Sequence, residues 1–318
     1  MGKYIAVDIG GTRLRVAVYA NDAIIPLRQE RIATQGSGTP MERLIDLIRQ
    51  LWPADQDVLA IGAAAPGPIN PKTGVLYRTP NIPGWDNLPL QKTLEEAFDV
   101  PVAVGNDANM AALGEARFGA GKGHANLIYI TISTGIGGGV ILDNNLVLGA
   151  RGLAAEIGHV TVVPNGPLCG CGKRGHLESV ASGTAIARWM REQIASGLPS
   201  SLNGKAAITA KDVAEAANQG DALAIQALFQ AGTFMGVALA DYLHIFNPSI
   251  VILGGGVSRS GPHYMNPMRE ALQTHVISPK YLQDLEITPA ALGDDAGLLG
   301  TLELARMRIQ KLHPIDDI

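Results

Sequence analysis

Short apolar segments alternating with glycine-rich turns open the chain. Residues 4–8 form an apolar run that predicts a buried strand, and residues 14–19 alternate in the manner of a second strand. The segment between them, Ile9-Gly10-Gly11-Thr12, has the composition of a tight turn. The opening therefore predicts a hairpin whose two strands are joined by a glycine turn.

The pattern then changes to helical spacing. Thr39, Pro40 and Glu42 form a capping box with proline at the first helical position, and residues 44–52 place apolar side chains on one helical face. Two further buried strands and a second helix are predicted at residues 58–64, 100–104 and 108–118.

The arrangement of strand, glycine turn and strand occurs again in the second half. Residues 126–133 predict a strand, Thr134-Gly135-Ile136-Gly137-Gly138-Gly139 a turn, and residues 140–142 the returning strand. A later strand at residues 250–253 ends in Gly254-Gly255-Gly256. The repetition predicts an α/β protein of two similar lobes around a cleft, although glycine hairpins are common and one repeat alone is weak support.

Length, composition and charge narrow the class of protein. The chain has 318 residues, enough for two α/β domains, and a net charge of −4, which argues against a nucleic-acid partner. The start lacks the pattern of a signal peptide, so we expect a cytoplasmic protein. The long apolar segment at residues 222–246 is interrupted by Gln226, Gln230 and Asp241, which favours a buried core helix over a membrane span.

Three glycine turns are candidates for binding phosphate, because glycine lets backbone N–H groups approach an anion closely. We call them the first (Gly10-Gly11-Thr12), second (Thr134-Gly135-Ile136-Gly137) and third (Gly254-Gly255-Gly256) glycine turns. They match neither the P-loop nor the dinucleotide-binding pattern. Each turn alone could be an ordinary hairpin, but three at strand ends favour a nucleotide site.

The only two cysteines lie close to two histidines. His159, Cys169, Cys171 and His176 fall within eighteen positions on a glycine-rich backbone, a donor set typical of tetrahedral zinc. A strained disulfide or two unrelated buried cysteines are the alternatives. Four protein ligands leave no open position on the metal, so the predicted role is structural.

Two aspartates follow predicted strands. Asp107 is either a helix N-cap or a general base that takes a proton from a substrate hydroxyl. Asp8 precedes the first glycine turn, where it could orient a magnesium–phosphate assembly. Thiols held by a metal are consistent with a reducing compartment.

Taken together, these motifs resemble the ROK family of sugar kinases and repressors, within the actin-like ATPase superfamily. The resemblance covers nearly the whole chain and rests on these segments: Asp8-Ile9-Gly10-Gly11-Thr12, Ala65-Pro66-Gly67-Pro68, Asn81-Ile82-Pro83-Gly84-Trp85, Asn106-Asp107-Ala108-Asn109, Thr134-Gly135-Ile136-Gly137-Gly138-Gly139, Glu156-Ile157-Gly158-His159, Cys169 to Glu178, and Leu253-Gly254-Gly255-Gly256-Val257.

The resemblance implies an actin-like (ribonuclease H-like) α/β fold with two lobes around a central cleft. The small lobe would comprise residues 1–108 and 297–318, and the large lobe, with the zinc-binding segment, residues 109–296. It also implies transfer of phosphate from ATP, with Mg²⁺, to the 6-hydroxyl of a hexose, with Asp107 as the base. Adenine would lie near Asp295-Ala296-Gly297.

The implied site residues fall into three sets. The hexose would be bound by Gly67, Asn81, Asn106, Asp107, Glu156, His159 and Glu178. The nucleotide would be bound by Asp8, Gly10, Gly11, Thr12, Arg13, Thr134, Gly135, Gly137, Gly254, Gly255 and Gly256. Zinc would be bound by His159, Cys169, Cys171 and His176.

Two residues depart from the family pattern. His176 stands where the family usually has a third cysteine, and Arg13 where its kinases mostly have lysine; both replacements keep the expected chemistry.

The residues favour glucose as the sugar but leave fructose, N-acetylhexosamines and a non-catalytic sugar-sensing role open, as well as ATP or polyphosphate as donor. A transcription regulator of the family would need a DNA-binding domain before Asp8, for which seven residues leave no room. Family analogy suggests a homodimer or homotetramer without nucleic-acid or membrane partners.

Overall fold

The structure is a computed structural model that describes residues 2–79 and 82–312. The chain divides into two compact units. The first unit takes in Met1–Gly123, Leu146–Ala155 and Ala291–Ile318, and the second unit takes in His124–Asn145 and Glu156–Ala290.

Strands and helices alternate along the described residues. The strands are β1 (Lys3–Ile9), β2 (Arg13–Ala20), β3 (Arg28–Ala33), β4 (Val58–Ala65), β5 (Leu76–Arg78), β6 (Asp86–Leu88), β7 (Val102–Asn106), β8 (Leu127–Ile132), β9 (Ile136–Leu142), β10 (Asn145–Leu146), β11 (Ile250–Gly254) and β12 (Glu286–Pro289). The helices are α1 (Pro40–Leu51), α2 (Leu90–Phe98), α3 (Asp107–Phe118), α4 (Glu178–Ala181), α5 (Gly183–Ala195), α6 (Ala210–Asn218), α7 (Ala222–Phe246), α8 (Pro262–His275) and α9 (Ala296–Leu312).

The first unit is built on a five-stranded sheet in the order β3-β2-β1-β4-β7. β1 pairs antiparallel with β2 and parallel with β4, and the β1–β2 register places Asp8 opposite Arg15. Side chains of β1 alternate between two cores. Ile5, Val7 and Ile9 face the cluster that contains the α1 and α2 side chains, whereas Tyr4 and Ala6 face α9. Asp8 has the parity of Tyr4 and Ala6, so it points to the α9 side of the sheet.

Helix α1 begins as predicted, with Thr39 as the N-cap of a capping box completed by Glu42. Helices α3 and α9 pack closely because Gly300 lies at their contact, where an added Cβ would be 1.7 Å from the carbonyl oxygen of Met110. This packing brings α3 and the segment from residue 291 into the first unit. The predicted lobe borders after residues 108 and 296 therefore differ from those of the compact units.

The second unit has a five-stranded sheet in the order β10-β9-β8-β11-β12. When the strands are numbered within each sheet, both sheets have the order 3-2-1-4-5. β8 pairs antiparallel with β9 and parallel with β11, as β1 does with β2 and β4. The repeat inferred from the glycine turns therefore extends to whole sheets.

Helix α7 has the bounds predicted from its apolar run. Among the described residues it is the one helix long and apolar enough to cross a membrane by length and composition, a test that the core helix of a soluble protein also passes. Much of it is buried against neighbouring helices of the second unit, α8 above all. Its burial fits the predicted core helix.

Several strands differ from the sequence prediction. Strand β3 was not predicted, because its residues are largely exposed and show little apolar alternation. Strand β9 begins at Ile136, so Gly137, predicted to lie in a turn, is a strand residue paired with Thr131. Strand β7 begins at Val102 rather than residue 100.

Candidate functional site

Thr34, the residue that follows β3, holds the first glycine turn in place through two hydrogen bonds. Its hydroxyl donates to the carbonyl of Gly10 (2.6 Å) and its N–H to the carbonyl of Thr12 (2.9 Å). The Gly10 N–H donates to the carbonyl of Arg13 (2.8 Å) and closes the turn. Within the described residues, the N–H groups of Gly11 and Thr12 have no partner. They are the donors that this turn offers to an anion.

Asp8 forms an ion pair with Arg15, which belongs to none of the sequence motifs. Arg15 donates from Nε (3.0 Å) and Nη2 (2.6 Å) to Oδ2 of Asp8, and from Nη2 to the carbonyl of Asp294. No hydrogen bond to Oδ1 of Asp8 occurs among the described residues. This pair could have been found from sequence, because Asp8 and Arg15 lie symmetrically about the turn of a predicted hairpin.

The acid predicted as catalytic base lies at the start of α3. Asn106 is the N-cap, and its side chain accepts from the N–H groups of Ala108 (3.0 Å) and Asn109 (3.1 Å). Asp107 is the first residue of α3 and is exposed to solvent. The N-cap alternative for Asp107 is therefore wrong, because Asn106 takes that role. The carboxylate remains accessible to a substrate.

Gly67 of the predicted sugar set also belongs to the first unit. Asn106 donates from Nδ2 to the carbonyl of Gly67 (3.2 Å), which joins the ends of β4 and β7. Asn81 lies outside the described residues, but Ile82 and Trp85 of the same loop are buried.

The second glycine turn is held by a helix start. Gly183 and Thr184 of α5 donate their N–H groups to the carbonyls of Ser133 (2.8 Å) and Thr134 (3.3 Å). Each carbonyl points toward α5, so the N–H of the same peptide plane points the other way. These are the N–H groups of Thr134 and Gly135, which have no partner among the described residues.

The third glycine turn follows β11. Gly255 has φ +82°, and an added Cβ would lie 2.3 Å from the carbonyl oxygen of Ile132, so only glycine fits. The hydroxyl of Ser258 donates to the carbonyl of Gly255 (2.8 Å). Gly254 ends the strand and Gly256 lies exposed beyond it.

A cavity of about 790 Å³ opens beside the second and third turns, entirely within the second unit. Its size lies in the range of small-molecule sites. Its wall combines the turns with residues of α5 and α6: Thr134, Gly256, Val257, Gly183, Thr184, Ala187, Arg191, Ala210, Lys211, Ala214 and Glu215. The helical part of this wall was missed, because its residues are scattered along two helices and form no motif.

The segment expected near adenine, Asp295-Ala296-Gly297, belongs to the first unit. Asp295 belongs to the first unit, where its carboxylate is 3.8 Å from Nη1 of Arg15. An added Cβ on Gly297 would be 3.5 Å from Oδ2 of Asp8. Asp295 and Gly297 thus adjoin the Asp8–Arg15 pair, whereas the cavity belongs to the second unit.

Four predicted metal ligands converge in the second unit. The donor atoms of His159, Cys169, Cys171 and His176 all lie within 4.8 Å of one another. Sγ of Cys169 is 3.7 Å from Nδ1 of His159, and Sγ of Cys171 is 3.2 Å from Nδ1 of His176. A tetrahedral zinc site requires S···N separations of about 3.5 Å. The donor set and its spacing therefore fit a tetrahedral ion of the zinc type.

Cys169 and Cys171 are free thiols. Burial raises the pKa of the Cys169 thiol to about 11, and the Glu178 carboxylate beside it adds to the effect. A metal ion would have to displace this proton, since the thiolate is the ligand.

Glu178 joins the metal-ligand cluster to the second glycine turn. Its Oε1 is 3.4 Å from Sγ of Cys169, and its Oε2 accepts the N–H of Ile136 (3.0 Å). Glu156 is exposed just before the short 3₁₀ turn Ile157–His159. Tyr242 of α7, also missed from sequence, fixes that turn by donating its hydroxyl to the carbonyl of Ile157.

Comparisons with known proteins agree with these motifs. The family model described as ROK family matches residues 4–308. A glucokinase of Thermotoga maritima is 38% identical over 313 residues, which are 96% of this chain and 98% of the relative.

Two solved structures are similar over their whole length. A ROK family glucokinase from Streptomyces griseus, in complex with glucose and AMPPNP, is 38% identical with a TM-score of 0.78, covering 96% of this chain and 100% of that chain. A ROK hexokinase from Thermus thermophilus is 34% identical with a TM-score of 0.81, covering 97% and 99%.

The chain belongs to the ROK family. The predicted α/β fold of the actin-like ATPase class is confirmed by these relatives.

Proposed function

We propose that the chain transfers the γ-phosphoryl group of ATP to the 6-hydroxyl of glucose. The observation that carries the proposal is the accessible carboxylate of Asp107 at the first position of α3, in a chain that matches glucokinases over nearly its whole length. The complex of the Streptomyces griseus relative with glucose and AMPPNP supports this pair of substrates.

The nucleotide is bound by backbone donors and by the cavity. The N–H groups of Gly11, Thr12, Thr134 and Gly135 suit phosphate oxygens, because none of the four has a hydrogen-bond partner among the described residues. The cavity of about 790 Å³ has room for a nucleoside and adjoins the second and third turns. This favours ATP over polyphosphate as donor, since polyphosphate has no base to fill it.

Asp107 acts as the general base. Its carboxylate takes the proton from the sugar 6-hydroxyl as that oxygen forms a bond to the γ-phosphorus. The bond from the γ-phosphorus to the bridging oxygen breaks, and ADP leaves. Asn106 keeps the base in place by capping the helix that begins with it. Magnesium, when bound, neutralises phosphate charge, and Asp8 would hold it.

The sugar hydroxyls are bound by the polar residues that the family resemblance implies: Gly67, Asn81, Asn106, Glu156, His159 and Glu178. Discrimination between sugars follows from pairing each hydroxyl, because a missing hydroxyl leaves a buried polar group without a partner. His159 directs Nδ1 toward Cys169, so Nε2 is the nitrogen left for the sugar.

The four-residue cluster binds zinc in a structural role. Zinc held by His159, Cys169, Cys171 and His176 has no open position, so it takes no part in the phosphoryl transfer. It fixes the segment that carries Glu156, His159 and Glu178. Assembly as a homodimer or homotetramer, a cytoplasmic location and the lack of nucleic-acid or membrane partners stay predictions.

A coupled assay of ADP release tests the proposal. Glucose, fructose, N-acetylglucosamine and N-acetylmannosamine are compared at saturating ATP and magnesium. ATP is then compared with polyphosphate by the formation of glucose 6-phosphate, because transfer from polyphosphate releases no ADP. The proposal predicts the highest kcat/KM for glucose with ATP. A higher value for another sugar would reassign the substrate, and turnover of none of them would contradict the kinase assignment.

A further inference from the structure

Thr34 is the feature of the first glycine turn that no motif identifies. It is 0% exposed, and its side chain and backbone both donate to the turn. Its hydroxyl bonds the carbonyl of Gly10 (2.6 Å), and its N–H bonds the carbonyl of Thr12 (2.9 Å). The two accepting carbonyls flank the Gly11–Thr12 peptide. Thr34 therefore holds the turn on both sides of the N–H groups that face outward.

The geometry of the peptide bond converts these contacts into an orientation. A trans peptide is planar, with its C=O and N–H on opposite sides. The hydroxyl of Thr34 draws the Gly10 carbonyl inward, so the N–H of Gly11, which belongs to the same peptide, points away from Thr34. That N–H has no partner among the described residues, and Gly11 is partly exposed. A preoriented donor needs no reorganisation when an anion binds.

We propose that Thr34 is a positioning residue for the phosphoryl donor: its buried hydroxyl sets the Gly10–Gly11 peptide so that the Gly11 N–H faces a phosphate oxygen. This inference rests on the proposed kinase function. Without the hydroxyl, the Gly10 carbonyl has no donor among the described residues and turns toward water. The Gly11 N–H belongs to the same peptide, so it rotates with the carbonyl and no longer points toward the phosphate oxygen.

A similar hydrogen bond from a hydroxyl occurs at the third glycine turn, in the second unit. The hydroxyl of Ser258 donates to the carbonyl of Gly255 (2.8 Å), which directs the N–H of Gly256 away from Ser258. Gly256 lines the cavity, and its N–H has no partner within the part of the chain that the structure describes. A hydroxyl that bonds a glycine-turn carbonyl is therefore present in both units, although β11, which precedes the third glycine turn, corresponds to β4 and not to β1.

Isosteric variants of the full chain test the proposal. Thr34→Val removes the hydroxyl and keeps the shape, and Thr34→Ser keeps the hydroxyl. Thr301→Val is the matched control, because Thr301 is also 0% exposed in the first unit and its hydroxyl also donates to a carbonyl, that of Leu298 (2.8 Å). Affinity for MgAMPPNP is measured by calorimetry, and KM for ATP and for glucose by the coupled assay.

Thr34→Val should weaken MgAMPPNP binding and raise KM for ATP by about tenfold, the effect of losing one oriented donor to a charged acceptor. KM for glucose should stay unchanged. Thr34→Ser should bind nearly as the parent does, and Thr301→Val should lower only the melting temperature. If Thr34→Val does not fold, Thr34→Ala removes the same hydroxyl without requiring a branched side chain to fit.

Two results would overturn the proposal and are distinguishable. Parental MgAMPPNP affinity in Thr34→Val, with a fall in melting temperature like that of Thr301→Val, would make Thr34 a purely structural residue while leaving the kinase function intact. Absence of MgAMPPNP binding in the parent protein itself would overturn the proposed function and the role of Thr34 together.

Discussion

Tyr242 connects the core helix α7 to the predicted sugar-binding segment, and its removal gives a prediction with a defined magnitude. The side chain is 2% exposed, and its hydroxyl donates to the carbonyl of Ile157, the residue after Glu156. No other donor reaches that carbonyl among the described residues. Burial raises the pKa of Tyr242, and the nearby Asp241 raises it further, so the hydroxyl stays protonated and remains a donor in any ordinary assay buffer.

Tyr242→Phe deletes the hydroxyl and leaves the ring in place. The Ile157 carbonyl then stays buried without a partner, which costs about 1–3 kcal/mol. In a unit of this size, 1 kcal/mol lowers the melting temperature by about 2–4 °C, so a loss of about 2 kcal/mol corresponds to about 4–8 °C. The freed turn also carries Glu156 and His159, so KM for glucose should rise by several-fold while KM for ATP changes little.

Tyr264→Phe is the matched control. Tyr264 lies on α8 of the same unit, is 0% exposed, and its hydroxyl has no hydrogen-bond partner among the described residues. Removing an unpaired buried hydroxyl costs nothing and relieves its desolvation. Tyr264→Phe should therefore match or exceed the melting temperature of the parent. Equal melting temperatures for the two variants would refute the reasoning about Ile157, and an unchanged glucose KM in Tyr242→Phe would separate that turn from sugar binding.

Three further predictions follow from contacts elsewhere in the chain. Glu115 is buried and accepts three backbone N–H groups at 2.8–3.1 Å, so Glu115→Gln, which sets an amide donor against one of them, should cost about 1–3 kcal/mol in denaturant unfolding; a variant as stable as the parent would contradict this. Treatment with a strong chelator should release about one zinc per chain and lower the melting temperature, and His176→Cys should retain metal at higher chelator concentration; an unchanged melting curve with no zinc by elemental analysis would remove the metal site. Burial alone would raise the pKa of Asp221, but hydrogen bonds from Ser201 and its neighbours lower it from 3.8 to about 2. Its contribution to stability is therefore complete above pH 3.8 and is lost as the pH falls toward 2, so Asp221→Asn should flatten acid unfolding in that window, and an unaltered acid limb would count against it.

The parts of the fold predicted from sequence are those with strong local signals. Helix α7 has the predicted bounds because its apolar run is long, and α1 begins at Thr39 because its capping box is complete. Strand β3 lacked such a signal, since an exposed edge strand needs no apolar alternation. Gly137 was assigned to a turn on composition, but pairing with Thr131 makes it a strand residue.

Some residues of the candidate site could likewise be predicted from the sequence, and others could not. Cys169, Cys171, His159 and His176 were predictable, because metal ligands close in sequence converge through local turns. Thr34 and Tyr242 were not, because each acts through a hydrogen bond to a backbone carbonyl distant in sequence, and nothing about a threonine after a strand or a tyrosine in a core helix distinguishes such a contact. The cavity wall on α5 and α6 depends on how those helices pack, which no motif encodes.

Turnover by Asp107→Asn tests the central claim most directly. Asparagine can still occupy the first position of α3 but cannot take the proton, so kcat should fall by about 10²–10⁴-fold, with glucose binding by calorimetry and the melting temperature close to those of the parent. Asp46→Asn, at an exposed position of α1, is the control and should keep parental turnover. A kcat for Asp107→Asn within a few-fold of the parent would contradict the assignment of Asp107 as the base.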